Sequence, residues 1–231
     1  MKKLEFHPLE YVSIGRPYNR IDFLVDAAKD QKVLDLGCWD ETALNKHNSD
    51  FWLHRRIAAS SAYTIGIDSS EGIPEAGYSE DKSTIIKGDV TLKEDLQGRD
   101  IDLIIAGELI EHLPNTLEFF CMLKEIYGGK RLVCTTPNAT NLSNVLLAIA
   151  RRESMHHDHL NIYSFKTLYT LSKKAGFSHF KIHPYYVSYP EMILRNKGLR
   201  RSAVQLIQKS INLAEYVTPM WAGGLILDVT L

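Results

Sequence analysis

The chain has 231 residues, of which 45% are hydrophobic, 24% charged and 10% aromatic. This composition supports one substantial hydrophobic core and excludes a disordered or collagen-like chain. No apolar run approaches the roughly 20 residues that span a bilayer, and the basic start, MKKLEFHPLEY, lacks the apolar stretch of a signal peptide. Three scattered cysteines (Cys38, Cys121 and Cys134) are too few for a disulfide framework or a zinc cluster, so the expected compartment is the cytoplasm.

The net charge of −1 hides an uneven distribution along the chain. Residues 1–130 contain 15 Lys and Arg against 23 Asp and Glu, whereas residues 131–231 contain 12 against 5. Ordinary variation in surface charge produces such differences. The alternative is that the C-terminal part faces an anionic partner.

The order of the predicted elements is that of an α/β fold. Short apolar runs bounded by turn residues alternate with longer helical stretches, which favours a parallel sheet. Five buried strands are predicted first: Val33–Leu36, Tyr63–Ile67, Ser83–Lys87, Ile101–Ala106 and Lys130–Thr135. The helices predicted around them are Arg20–Ala28, a stretch around Ser49–Ser60, and Thr116–Tyr127.

The pattern changes after residue 135. Helices are predicted over Val145–Arg152, Ser164–Ala175 and Glu191–Tyr216, and strands over Phe180–Val187 and Gly224–Thr230. The two strands would complete a mainly parallel seven-stranded sheet with one antiparallel edge strand. No linker rich in Pro, Gly or Ser divides the chain, so we expect a single domain over residues 1–231, with insertions at about 138–165 and 188–220.

The first predicted strand ends in the segment Val33-Leu-Asp-Leu-Gly-Cys-Trp-Asp40. This segment resembles motif I of the class I S-adenosylmethionine (SAM)-dependent methyltransferases, LDLGCGxG, in which a glycine lets the cofactor approach the backbone and an acid holds its amino-acid end. The resemblance implies that SAM contacts Asp35, Gly37, Cys38 and Trp39. Trp39 and Asp40 depart from the motif, because the family usually has a second glycine at position 39. The G-x-G-x-x-G of a dinucleotide site is absent.

Three further segments resemble the same family in order and spacing. The second strand leads to Asp68-Ser69, the third to Asp89-Val90, and the fourth to Gly107-Glu108. The resemblance implies that these residues also bind the cofactor, with Asp68 accepting hydrogen bonds from both ribose hydroxyls and Asp89 meeting the adenine amino group. It therefore implies a Rossmann-like class I methyltransferase fold, with helices on both faces of the sheet and SAM at the carboxyl ends of the first strands.

The segment Glu108-Leu-Ile-Glu-His112 combines two carboxylates with an imidazole. If it forms one helical turn, Glu108, Glu111 and His112 share a face that could hold a divalent cation. Together with a later His-containing segment, it resembles the ubiquinone-pathway O-methyltransferases and the Hen-type small-RNA 2′-O-methyltransferases. The fourth ligand maps to His159 on the RNA group's pattern and to His157 on the quinone group's pattern. Many related enzymes carry Glu-His here without a metal, where the pair shapes the cofactor pocket.

The same residues suggest the reaction. If no metal binds, His112 or one of His156, His157 and His159 could deprotonate an acceptor hydroxyl, because an imidazole with an ordinary pKa of about 6.5 suits a general base. The predicted catalytic residues are His112, Glu111 and His159. The predicted function is SAM-dependent O-methylation of a small molecule, such as a sugar, a lipid-linked saccharide or a secondary metabolite. The alternatives are an RNA or other anionic substrate, and a SAM-binding protein without transferase activity. Nucleic acid is disfavoured because the pI is near 6.8 and no RNA-binding module is recognisable.

The stretch Arg195–Tyr216 combines five basic residues with an apolar stripe. Val204, Ile207 and Ile211 recur at helical spacing. Core packing is the commonest cause of such a stripe. A cap over the active site and a helix lying on a membrane surface are the two functional alternatives.

Overall fold

A computed structural model describes residues 9–39 and 52–231. The strands are β1 (Lys32–Leu36), β2 (Tyr63–Asp68), β3 (Tyr78–Glu80), β4 (Ser83–Lys87), β5 (Leu103–Gly107), β6 (Arg131–Pro137), β7 (Phe180–Tyr185) and β8 (Gly224–Thr230). The helices are α1 (Arg20–Ala28), α2 (Leu53–Ser60), α3 (Lys93–Leu96), α4 (Thr116–Tyr127), α5 (Leu142–Ile149), α6 (Phe165–Lys174), α7 (Pro190–Arg195) and α8 (Gly198–Val217), followed by a 3₁₀ helix at Pro219–Trp221. Asp40 and the start of the helix predicted around Ser49 lie outside the described residues.

All eight strands form one sheet in the order β3-β4-β2-β1-β5-β6-β8-β7. The strands β1, β2, β4, β5 and β6 run parallel, whereas β3 is antiparallel to β4, and β8 is antiparallel to both of its neighbours. The predicted α/β fold with a mainly parallel sheet is confirmed. The count of seven strands was one short, because β3 is a three-residue edge strand with no apolar run to reveal it.

Side chains of the central strands alternate between two hydrophobic layers. On β5, Ile104 and Ala106 pack with Phe120 of α4 in the larger layer. Leu103 and Ile105 point to the opposite face, where they pack with residues of α1 and α2. Helices therefore cover both faces, as parallel sheets require. The loops at the carboxyl ends of the strands remain open to ligands.

Several helix boundaries follow from capping side chains. Asn19 Oδ1 accepts the Ile21 N–H at 3.0 Å and fixes the start of α1. Asn141 Oδ1 accepts the Asn144 N–H at 2.8 Å, so α5 begins three residues before the predicted Val145. Ser164 and Thr167 form a capping box at the start of α6. These polar caps decide helix starts that the apolar pattern alone leaves open.

Two predicted elements near the C-terminus differ from the structure. The single helix predicted over Glu191–Tyr216 is two helices, α7 and α8, separated at Asn196 and Lys197. The strand predicted to reach Val187 ends at Tyr185, because the Val187 N–H donates to the Glu215 carboxylate instead of a neighbouring strand. Among the described residues, no helix combines the length and the hydropathy needed to cross a membrane.

Candidate active site

A cavity of about 550 Å³ opens at the carboxyl ends of β1, β2 and β5. Ligands of open α/β sheets bind where the strand order changes direction. Here the chain passes from β1 to strands on one side of it, and later to β5 and β6 on its other side. The predicted cofactor residues in its lining are Asp35, Gly37, Cys38, Trp39, Asp68, Gly107 and Glu108. The lining also contains Arg20, His54, His112, His156, Asp158 and His159.

The loop after β1 explains how the motif accommodates a tryptophan. Gly37 has a φ of 69°, and a Cβ there would lie 2.9 Å from Leu109 Cδ1, so this position requires glycine. At position 39 the backbone N–H donates to Asp68 Oδ2 at 2.9 Å. The indole of Trp39 packs against Trp52 and Tyr78, with ring centroids 5.8 Å from each. The side chain that replaces the usual glycine is therefore held in an aromatic cluster.

Asp35 is held by a buried histidine that the sequence did not reveal. His54 Nδ1 lies 2.7 Å from Asp35 Oδ2, and His54 Nε2 lies 2.6 Å from Ser83 Oγ. An Nδ1–H that donates to Asp35 leaves Nε2 to accept from the Ser83 hydroxyl, so one neutral tautomer satisfies both bonds. All three residues are buried. The chain Asp35–His54–Ser83 fixes the motif I carboxylate toward the cavity.

Asp68 is positioned by backbone N–H groups. Its Oδ1 accepts from Ser70 at 2.8 Å, and its Oδ2 accepts from Trp39. Burial raises the pKa of this carboxyl, and the backbone hydrogen bonds act in the opposite direction. A carboxylate offers about four acceptor positions, so the two bonds leave capacity for the predicted contacts with ribose hydroxyls.

The remaining predicted cofactor residues do not belong to the cavity lining. Ser69 and Asp89 are exposed, and Asp89 Oδ1 accepts from the N–H and the hydroxyl of Thr91 at 2.8 and 2.7 Å. Val90 is buried in the larger hydrophobic layer. All three lie at the carboxyl edge, after β2 and β4, and their contacts with SAM stay predictions.

Glu108 lies in a conformation that the sequence analysis did not anticipate. Its φ of 56° is in the left-handed region, so Glu108–His112 forms turns rather than the helical turn considered above. Its Oε1 accepts from Tyr185 Oη at 2.8 Å and from Thr135 Oγ1 at 3.0 Å, and lies 3.4 Å from Arg20 Nη1. A left-handed non-glycine residue costs roughly 1–3 kcal/mol, which these three partners offset.

Glu111 is fully buried and does not line the cavity. Neither carboxylate oxygen has a hydrogen-bond partner among the described residues. Burial, and secondarily the charge of Glu108, raises the pKa of Glu111 to about 8. Its backbone carbonyl accepts from Leu160 and Asn161 at 2.9 and 3.0 Å, which brings the preceding histidines over the cavity.

Three imidazoles form a group that we call the histidine wall: His112, His156 and His159. One ring nitrogen from each lies within 4.8 Å of the others, and the rings of His112 and His159 are 4.6 Å apart at an angle of 85°. Burial, and secondarily the charge of His112, lowers the pKa of His159. His157 is outside the wall, with a side chain 78% exposed. Of the four predicted metal ligands, the structure therefore groups His112 and His159, with His156 in place of the two glutamates.

The fold and the cavity together define a Rossmann-like class I SAM-dependent methyltransferase. The glycine turn after β1, Asp35 in β1 and Asp68 at the end of β2 meet at the carboxyl edge of the parallel strands, where open α/β sheets bind their ligands. Residues 14–181 match the model of a family described as a methyltransferase domain, and the chain belongs to that family. It is accordingly an enzyme whose cofactor is SAM.

Solved structures with the same fold are distant in sequence. A SAM-dependent methyltransferase from Archaeoglobus fulgidus is 17% identical with a TM-score of 0.55, and the match covers 92% of this chain and 91% of that one. The small RNA methyltransferase HEN1 is 15% identical with a TM-score of 0.56, covering 96% of this chain and 27% of that one. Phosphoethanolamine N-methyltransferase 2 from Haemonchus contortus is 12% identical with a TM-score of 0.55, and the match covers 93% of this chain and 53% of that one. No functionally curated protein matches the sequence significantly.

Sequence reasoning missed four residues that shape this site. Arg20, Thr135 and Tyr185 converge on Glu108, and His54 holds Asp35. Each comes from a different element and carries no local motif. Their roles depend on sheet neighbours far apart in the chain, such as β5 and β6, so only the assembled sheet reveals them.

Proposed function

We propose that the enzyme transfers the methyl group of SAM to a hydroxyl of a small molecule. The observation that carries the proposal is the histidine wall, which lines the same cavity as the predicted cofactor residues. A neutral imidazole can accept the hydroxyl proton as the oxygen–carbon bond forms. The lowered pKa of His159 supports this role, because the imidazole then stays neutral at physiological pH.

The reaction is a direct displacement. In the proposed arrangement Asp35 and Asp68 hold the amino-acid and ribose ends of SAM, and the acceptor enters from the side of the histidine wall. The acceptor oxygen forms a bond to the methyl carbon while the carbon–sulfur bond breaks, which leaves S-adenosylhomocysteine (SAH), and the hydroxyl proton passes to an imidazole. Holding oxygen, carbon and sulfur in line supplies much of the acceleration.

The cavity volume favours a small acceptor group. About 550 Å³ lies within the range of sites for a single drug-sized ligand. With the cofactor bound, only a small molecule or the end of a longer one fits. A sugar, a lipid-linked saccharide and a secondary metabolite all meet this condition, and each carries hydroxyl groups.

The residues present also fit a divalent cation, which we propose as a second feature of the site. Nδ1 of His159 is buried without a hydrogen-bond partner in the described part of the chain, and a cation would supply one. The histidine wall would provide nitrogen ligands, and Glu108, which lines the same cavity, is the candidate oxygen ligand. Glu111 is buried outside the cavity lining and is not part of the proposed set. Such mixed donors suit Mn²⁺, Fe²⁺, Co²⁺ or Zn²⁺ better than Mg²⁺. A bound cation would occupy imidazole nitrogens and would lower the pKa of the acceptor hydroxyl in place of the imidazole base.

An acceptor survey tests the proposed reaction. The purified enzyme is incubated with SAM and with phenols, sugars, lipid-linked saccharides, amines or RNA, and the release of SAH is measured. We expect a hydroxyl-bearing small molecule to stimulate SAH release and to gain the mass of one methyl group. Release with RNA or amines alone would contradict the proposal.

Metal analysis tests the cation separately. We expect elemental analysis of the purified protein to find a transition metal, and EDTA to reduce turnover. His156→Ala should lower the metal content, whereas His179→Ala is the control, because His179 is an exposed imidazole that does not line the cavity. Full turnover in EDTA with no metal recovered would reject the cation and leave the histidine base.

A further inference from the structure

Helix α8 directs two polar side chains toward the protein and its leucines toward solvent. Gln208 Oε1 accepts the Tyr189 N–H at 3.0 Å, and the carboxylate of Glu215 accepts the Val187 N–H at 3.2 Å. Glu215 is fully buried. A surface helix normally buries its apolar stripe and exposes its polar face. Helix α8 therefore departs from this pattern, because its leucines are exposed while Gln208 and Glu215 face the protein.

The solvent side of α8 carries a row of exposed apolar residues, interrupted by Ser202 and Ser210. Leu199, Leu206 and Leu213 recur every seven residues, so they point in nearly the same direction, and Val217 continues the line. Their exposed fractions are 91%, 66%, 65% and 67%. The row extends over roughly 27 Å at the helical rise per residue. Exposed apolar surface of this extent marks an interaction site.

The charges beside this row are basic. Lys197 precedes α8, and Arg200, Arg201 and Lys209 lie on it, all with exposed side chains. Glu215 is the one acidic residue of α8, and it is buried. The exposed surface of the helix thus combines apolar and cationic side chains without acidic ones.

Helix α5 extends the same kind of surface. It contacts α8 and exposes Val145, Leu146 and Ile149, with exposed fractions of 51%, 49% and 79%. The exposed Arg151 and Arg152 follow it. Both helices leave the carboxyl ends of strands that run in the same direction, β6 and β7. The surface therefore belongs to the edge of the sheet at which the cavity opens.

We propose that α5 and the solvent side of α8 dock onto the surface of an anionic lipid bilayer. The leucines would enter the boundary between head groups and acyl chains, and the Lys and Arg side chains would meet lipid phosphates. A second copy of the chain is the competing occupant. Pairing two α8 helices would bring like charges together with no exposed acid on the helix to neutralise them, so charge complementarity favours the bilayer. The proposal does not depend on the identity of the methyl acceptor.

Vesicle co-sedimentation tests the docking surface. We expect the full chain to sediment with vesicles of phosphatidylcholine and phosphatidylglycerol, and weakly with pure phosphatidylcholine. The triple change of Leu199, Leu206 and Leu213 to Gln should weaken binding by about a hundredfold or more, because it removes most of the buried apolar area. Changing Arg200 and Arg201 to Gln should weaken it by about tenfold or more and reduce its dependence on salt.

Matched controls separate docking from general charge or helix effects. Lys29→Gln with Lys82→Gln removes two exposed basic residues next to the amino ends of β1 and β4, at the opposite edge of the sheet. Gln205→Ala changes an exposed residue of α8 that lies about 100° around the helix from Leu206. Both controls should bind vesicles like the unchanged protein. Thermal melting and SAH binding check that every variant is folded.

A position-specific probe gives a second readout. Leu206→Trp should show tryptophan quenching by brominated lipid in the anionic vesicles, whereas Lys29→Trp at the opposite edge should show no quenching beyond that of the unchanged protein. Equal quenching at both positions would overturn the proposal. So would equal vesicle binding by all variants, no vesicle binding, or a dimer in light scattering that the leucine changes dissociate, because a dimer assigns the row to a second copy.

Discussion

The two sides of the cavity differ in whether their polar atoms have hydrogen-bond partners within the protein. On the side of β1 and β2, Asp35 and Asp68 are each held by fixed donors, His54 and backbone N–H groups respectively. On the side of the histidine wall, Nδ1 of His159 is buried and has no hydrogen-bond partner among the described residues. The protein's own donors hold the first side, and we propose that a bound group completes the second. Variants on the side of β1 and β2 should therefore lose cofactor affinity, whereas variants of the histidine wall should lose turnover.

The largest expected effect is a loss of turnover when a residue of the histidine wall is replaced. His159→Gln should lower kcat by about 10²–10⁴, because it removes the proposed proton acceptor, while the Kd for SAH stays unchanged. His179→Gln is the control and should retain turnover, because His179 is exposed and does not line the cavity. The measurement is a steady-state assay beside calorimetry with SAH. A large loss of SAH affinity in His159→Gln would show that His159 also contributes to cofactor binding, and would contradict separate roles for the two sides.

Glu215 in α8 should make the free energy of unfolding depend on pH. Burial raises its pKa to about 7 in the folded protein, from an ordinary value of 4.5. As pH rises between these values the unfolded chain loses the proton and the folded chain retains it, so the free energy of unfolding falls. Glu215→Gln should remove this fall and gain at most about 3 kcal/mol near pH 8, with little change near pH 5. Urea unfolding across that range would contradict the account if both proteins showed the same pH dependence.

On the side of β1 and β2, Asp68→Ala should weaken the binding of SAM and SAH. Losing acceptors for the ribose hydroxyls costs roughly 1.5–3 kcal/mol, which is about tenfold to 150-fold in Kd. Glu71→Gln is the control, since its side chain is 93% exposed and pairs with Lys87. Calorimetry that found an unchanged Kd for Asp68→Ala would remove this residue from the cofactor site.

His54→Ala tests positioning of the other acid. Without the imidazole, Asp35 loses its fixed partner, and the Kd for SAM should rise about threefold to tenfold. Asp35→Ala combined with His54→Ala should be little worse than Asp35→Ala alone, because the histidine acts through the acid. The exposed His179→Ala is the control. Full additivity of the two changes would show that His54 acts independently of Asp35.

The sequence predicted the buried strands and the turn after β1 better than the features that depend on distant contacts, for a physical reason. Strands such as Val33–Leu36 are apolar runs that end in a turn, and Gly37 is required locally by its positive φ. Nothing local marks β3, an edge strand of three residues. The left-handed Glu108 depends on Tyr185, which lies 77 positions away, so its conformation follows from tertiary contacts that no short pattern contains.

The same reason explains the C-terminal helices. The stripe Val204, Ile207 and Ile211 favoured core packing, and Ile211 is buried, but Ile207 is 57% exposed. Gln208 and Glu215 make the inward hydrogen bonds instead. Periodicity locates an apolar stripe and does not tell which side of a helix faces the sheet.

The most direct test of the account is the atom that receives the methyl group. The enzyme is supplied with SAM carrying a ¹³C-labelled methyl group and the best acceptor from the survey, and the product is analysed by NMR. We expect a labelled methyl coupled through oxygen to an acceptor carbon, and loss of that product in His159→Gln. A labelled methyl on nitrogen or carbon, or an unchanged yield in His159→Gln, would contradict it.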